Sequence, residues 1–122
     1  MRADDIQGAA VVVVVRDPDL AGSLELALFA DGFTGIIHDP ADGLDDLPVH
    51  CAAALVIDQG LVAPDPTAFI ASLRSRPWDG LIILVASDGE ALRGLARAPG
   101  VVILQMPFVA SDLTAAIRAV RP

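Results

Sequence analysis

The 122-residue chain has no lysine, no asparagine and no tyrosine, with one cysteine and one tryptophan. Without lysine, any mechanism that needs its ammonium group is excluded. The single Cys51 rules out an internal disulfide and a cysteine-based zinc cage. Positive charge is also scarce: eight arginines face sixteen acids, for a formal charge of −8. That balance lacks the basic footprint that nucleic-acid phosphates demand, and it disfavours an anionic membrane surface. The longest unbroken apolar run, 8–15, is far too short to span a bilayer. No charged leader with a cleavage site precedes it, so a cytoplasmic location is expected.

What the chain does have is aliphatic bulk. Its hydrophobic fraction is 54%, dominated by Val, Leu, Ile and Ala, with only 4% aromatic. That composition suits an α/β protein whose sheet is covered on both faces. A chain of this length buries roughly two-thirds of its unfolded surface in one core. One domain is expected over 10–122, after a polar lead-in at 1–9.

Five consecutive valines, 11–15, read as a central parallel strand, β-branched and buried on both sides. Asp17 then caps a helix with Pro18 at its first position, where the missing N–H costs little. Leu20, Leu24, Leu26, Ala27 and Phe29 follow at roughly helical spacing, and Asp31-Gly32 ends the helix. A short strand is predicted over 33–38 and a short helix over 40–47. Strand three covers 53–57, a loop 59–66, and a helix 67–76 with Phe69, Ile70 and Leu73 on its apolar face. A turn at 77–80 leads to strand four, 81–86. Ser87 or Asp88 caps a helix at 90–98, Pro99-Gly100 breaks it, and strand five covers 101–105. Ser111 caps a last helix, 112–120. Strands alternating with helices five times give a doubly wound (βα)5 sheet.

The apolar run of strand three ends abruptly in a carboxylate, Asp58. In parallel α/β sheets, ligands and chemistry collect at the carboxyl ends of the strands. An acid there needs an explanation.

This element order resembles the receiver domain of bacterial response regulators, CheY-like, over nearly the whole chain. An Asp closes strand three and a Pro follows strand five. The phrases Asp17-Pro18-Asp19-Leu20 and Asp31-Gly32-Phe33 are like a receiver's first helix, and Met106-Pro107-Phe108 is similar to the family's Lys-Pro-Phe. The resemblance implies a flavodoxin-like sheet of order 2-1-3-4-5 and phosphoryl transfer from a histidine kinase to the strand-three Asp, here Asp58. It also implies four supporting parts, and each is altered. The Mg²⁺-holding acid pair falls on Val15 and Arg16, the strand-four hydroxyl on Ala86 with Ser87 one residue late, and the lysine on Met106. The aromatic switch position falls on Ile103.

These changes are not neutral. Mg²⁺ wants carboxylate oxygens in near-octahedral array, and the site has exchanged two acids for a hydrocarbon and a guanidinium. Little remains to neutralise a transferring phosphoryl group. A degenerate or pseudo-receiver is therefore expected: an interaction and regulatory module, not an enzyme, with no cofactor and no Mg²⁺. The alternatives are a receiver still phosphorylated on Asp58 and a receiver-like sensor of a nucleotide or anion.

Individual residues admit two readings each. Arg16 either pairs with Asp58 in place of the metal, or swings to solvent or to Asp17 and Asp19. Asp17 is a residual metal ligand or simply a helix cap. Met106 is expected to fill the hole left by a lysine stem; Pro107 carries the cis peptide that the resemblance implies. His38, His50 and Cys51 complete no triad or metal cluster and are expected to pack or sit at the surface. Arg74, Arg76 and Trp78 form either an ordinary helix C-terminus with a half-buried Trp or a ligand corner gripping a phosphate-bearing planar molecule. The face built from 90–98, strand five and 112–120 carries more small and apolar residues than one core stripe needs. Such a surface can dock a partner or a second copy, and the resemblance implies that it is the face for a homodimer or for a histidine kinase or other signalling partner.

Overall fold

In the computed structural model the described residues are 9–44, 47, 49, 52–62, 65–87, 92, 94–95, 98–106 and 108–119. They form β1 (Ala10–Val14), α1 (Pro18–Ala30), β2 (Thr34–Ile37), β3 (Ala54–Asp58), α2 (Gln59–Val62), α3 (Pro66–Arg74), β4 (Leu81–Ala86), β5 (Val101–Gln105) and α4 (Ala110–Ala119). All five strands run parallel in the order β2-β1-β3-β4-β5, the order that the resemblance implies.

The valine run works as expected because a strand alternates its side chains between faces. Val12 and Val14 join Leu55, Ile57, Ile82 and Leu84 in one core cluster. Val11 and Val13 join Val56, Ile83, Leu113 and Ile117 in the other. Burying a side chain of this kind stabilises the fold by about 1.5–3 kcal/mol. Two cores on one sheet hold β1 and β3 rigidly side by side, with Val14 in register with Ile57. This fixes where the residues just beyond those strands must lie.

Asp17 caps α1, its carboxylate accepting from the Asp19 N–H at 2.9 Å, and Gly32 ends the helix with φ +88°. Several boundaries differ from expectation. Leu26 and Phe29 do not face the core: α1 buries Leu24, as its spacing suggests, together with Ala21 and Leu28. Of the predicted 40–47 helix, the described residues show only a 3-10 turn, Pro40–Asp42, stopped at Gly43 with φ +87°. The predicted 59–66 loop begins instead with the helical turn α2, directly after Asp58. Ser111 lies inside α4 and is not its cap; Asp112 reaches back to accept the Val109 N–H at 3.2 Å. The predicted 90–98 helix falls mostly outside the described residues, of which Leu92 is buried and Leu95 packs on the first cluster. No helix among the described residues is long and apolar enough to cross a membrane.

Candidate functional site

Asp58 is the last residue of β3, in register with Val85 of β4. Arg16 lies two positions past the end of β1. The guanidinium meets the carboxylate at two points, Nε donating to Oδ2 at 3.0 Å and Nη2 donating to Oδ1 at 3.2 Å. The Arg16 backbone N–H adds a third bond, to Oδ2 at 3.3 Å, and the Gly60 N–H a fourth, to Oδ1 at 3.0 Å. Each carboxylate oxygen thus accepts two hydrogen bonds. The Asp58 side chain is 16% exposed, against 61% for Arg16.

Burial alone would push the Asp58 carboxyl up, but the hydrogen bonds from Arg16 and Gly60, with the guanidinium charge, outweigh it and hold the carboxyl below its ordinary range. Arg16 is shifted up in turn by its hydrogen bond to Asp58 and by the carboxylate charge. Space for this contact comes from Gly60, where a Cβ would collide with the Arg16 guanidinium. Asp17 lies beside the pair, but its carboxylate is occupied as the helix cap.

The other altered corners are aliphatic or held by amides. Val15 is 5% exposed and Ala86 fully buried. Ser87 is exposed, its N–H donating to Gln59 Oε1 at 3.1 Å. Gln105 Nε2 donates to the Ser87 carbonyl at 3.0 Å and to the Met106 carbonyl at 3.2 Å. The Met106 N–H donates to the Ala86 carbonyl at 2.7 Å. Gln59 and Gln105 thereby tie the ends of β3, β4 and β5 together. Sequence reasoning missed both, although each glutamine stands next to a position it had singled out. Met106 is 37% exposed and belongs to neither core cluster, so it fills no buried hole; an unbranched thioether gains no packing there. Ile103 is half-buried against the first cluster. Pro107, His50 and Cys51 lie outside the described residues.

Arg74, Arg76 and Trp78 come together but do not form a free ligand corner. Arg74 Nη1 donates to the Gly80 carbonyl at 2.8 Å, and its Nη2 reaches the carbonyls of Pro99 and Gly100 at 3.3 and 3.4 Å. Its guanidinium carbon lies 5.5 Å from the Trp78 ring centre. Arg76 Nη1 donates to the Leu47 carbonyl at 3.4 Å. Trp78 is 8% exposed, and its Nε1 donates to the Ala52 carbonyl at 2.8 Å. Backbone carbonyls thus engage three of the guanidinium nitrogens of this corner. His38 Nε2 lies 2.8 Å from the Gly43 carbonyl, and among the described residues no group of three or more His, Cys, Asp or Glu could hold a metal ion.

The face of α4 is less apolar than its sequence suggested. Leu113, Thr114 and Ile117 turn inward, leaving Ser111, Asp112, Ala115 and Arg118 outside. Arg118 is further tied to the Asp31 carbonyl at 3.0 Å and lies over the Phe33 ring.

No family model matches the sequence, and no curated protein matches it. Solved structures do match. A response regulator receiver domain (CheY-like) from Methylobacillus flagellatus superposes with a TM-score of 0.75 at 18% identity, over 93% of this chain and 98% of that one. A sensor protein from Polaromonas sp. JS666 gives 0.72 at 26% identity, over 91% and 94%. Full-length FixJ from B. japonicum gives 0.75 at 21% identity, over 93% of this chain and 57% of its own. The fold is that of receiver domains.

Proposed function

We propose that this receiver-fold chain is a pseudo-receiver: a regulatory interaction module of two-component signalling in which a fixed ion pair replaces Mg²⁺-dependent phosphorylation of Asp58. The observation that carries this reading is the two-point contact of Arg16 on Asp58, completed by two backbone N–H groups.

The donor set does not suit Mg²⁺. The ion needs several oxygens in close to octahedral array, and here both oxygens of the one strand-end acid are engaged beside a resident cation. Val15 supplies hydrocarbon where the family resemblance implies an acid. Phosphoryl transfer relies almost wholly on positioning and on neutralising charge. Ala86 offers a methyl group in place of a hydroxyl, Met106 a thioether in place of an ammonium, and Arg16 is already spent on the acceptor itself. No catalytic role is assigned to any residue. The partners this reading calls for are a histidine kinase or another two-component protein, met through a surface instead of through phosphate exchange. Self-association through β5 and α4 is the variant that the family resemblance supports.

An amide NMR titration with Mg²⁺ and then beryllofluoride, a mimic of the acyl phosphate, tests the reading. Silent resonances at Asp58, Ala86, Ser87 and Ile103 at millimolar Mg²⁺ are the expected result. Shifts spreading from Asp58 to Ile103 would restore a working receiver phosphorylated on Asp58.

A further inference from the structure

Helix α1 carries two large side chains that neither core uses: Leu26 is 72% exposed and Phe29 77%. At 3.6 residues per turn, Pro18, Gly22, Glu25 and Phe29 fall on one stripe about 60° wide, with Leu26 beside it. The stripe begins at an open groove of about 490 Å³, walled on its far side by Ile37, His38, Asp39 and Pro40. Gly22 opens that groove, since a Cβ there would meet nothing within 4 Å. Arg16 reaches the groove too, but its charge is matched by Asp58. Glu25 is different. It is exposed on the groove wall and has no hydrogen-bond or ion-pair partner among the described residues.

We propose that the α1–β2 groove and the Leu26–Phe29 shoulder dock a basic amphipathic segment of a partner protein. Its apolar side chains would lie along Pro18, Gly22 and Phe29, with an Arg or Lys against Glu25. Charge selects this occupant. Glu25 and Asp39 line the groove of a chain carrying −8 overall, which repels a second copy or an anionic lipid surface and attracts a cationic segment. Extent argues for a polypeptide over a small molecule. From Pro18 to Phe29 the stripe runs roughly 16 Å along the helix, and an open trough buries little of a small ligand. Apolar anchors at i, i+4, i+7 spacing with matching charge are how an amphipathic helix is usually gripped. The inference rests on the chain being an interaction module. Its test is separate, because beryllofluoride reads Asp58 and peptide binding reads α1.

The probe is a fluorescein-labelled peptide of about twelve residues, Leu at helical spacing and Arg between, titrated by fluorescence anisotropy. Control peptides replace every Arg by Glu or every Leu by Ser. Expected is binding of the Leu–Arg peptide alone. Gly22→Leu, whose Cβ meets nothing within 4 Å and whose side chain would occupy the groove, and Phe29→Ser should each weaken it about tenfold or more; Glu25→Gln should weaken it severalfold. Gly22→Leu and Phe29→Ser should keep the wild-type circular dichroism spectrum. Absence of binding, equal binding by Gly22→Leu, or equal binding of the Ser peptide would each overturn the proposal. So would a wild-type dimer in sedimentation that Phe29→Ser dissociates, because a second copy would then own the face.

Discussion

The Arg16 guanidinium grips both oxygens of the Asp58 carboxylate, across 42 residues of sequence, at the boundary between β1 and β3. Neither strand can shift lengthwise without breaking this contact. The pair therefore sits on a rigid base, the interleaved valines and isoleucines of two cores.

Replacing Arg16 by Gln should release Asp58. The guanidinium charge and its two hydrogen bonds would be lost while burial, which pushes the carboxyl up, remains. The Asp58 carboxyl is expected to titrate higher than in the wild type. A ¹³C-detected pH titration of the side-chain carboxyl reads this directly, and an unchanged midpoint would mean that backbone N–H groups alone set it.

Acid stability should depend on the same group. The carboxyl of Asp58 lies below its unfolded value, so the unfolded state binds the proton more readily. Its contribution is full above the ordinary Asp range near 3.9 and is lost as pH falls through the depressed folded value. Asp58→Asn should remove that contribution. Urea midpoints of wild type and variant are expected to converge as pH drops below about 4; a constant gap down to the lowest pH would show that the carboxylate is not responsible.

Gly60→Ala tests the space that the pair needs. A methyl group there collides with the guanidinium, so Arg16 should leave Asp58 while the sheet stays folded. The expected signature is a raised Asp58 carboxyl resembling that of Arg16→Gln, with far-UV circular dichroism unchanged. An Asp58 titration identical to wild type would show that the guanidinium has another route to the carboxylate.

The corner at Trp78 should behave as structure. Trp78→Phe removes the Nε1 bond and strands the Ala52 carbonyl, costing about 1–3 kcal/mol by urea denaturation. Nucleotides should give the wild type no thermal shift. A shift abolished by Arg74→Ala would return this corner to the candidate ligand sites.

Much of this was legible in the sequence, for identifiable reasons. Strands β4 and β5 have the predicted bounds because unbroken aliphatic runs between turn residues leave one option for a doubly covered sheet. Asp58 stood out because a charge follows four buried residues. Periodicity failed on α1, where a helix apolar on several sides does not say which side is inward. Helical spacing picks out Leu24, which is buried, but also Leu26 and Phe29, which are exposed, and it passes over Ala21 and Leu28. The glutamine ties at β3, β4 and β5 were invisible because they depend on neighbours distant in sequence. The Arg16–Asp58 geometry required knowing that Gly60 leaves room for it.

Trp78 has a practical consequence at the far end of the sheet. With no tyrosine in the chain, its intrinsic emission under 295 nm excitation comes from one indole. That indole is bonded to the carbonyl of Ala52, just before β3 begins. Asp58 ends the same strand, six residues on and roughly 20 Å away. The fluorophore is thus remote from contacts made at the pocket and reports what reaches it along β3 and through the first core cluster. A change in its emission on perturbing Arg16 would be an optical measure of long-range transmission through this sheet.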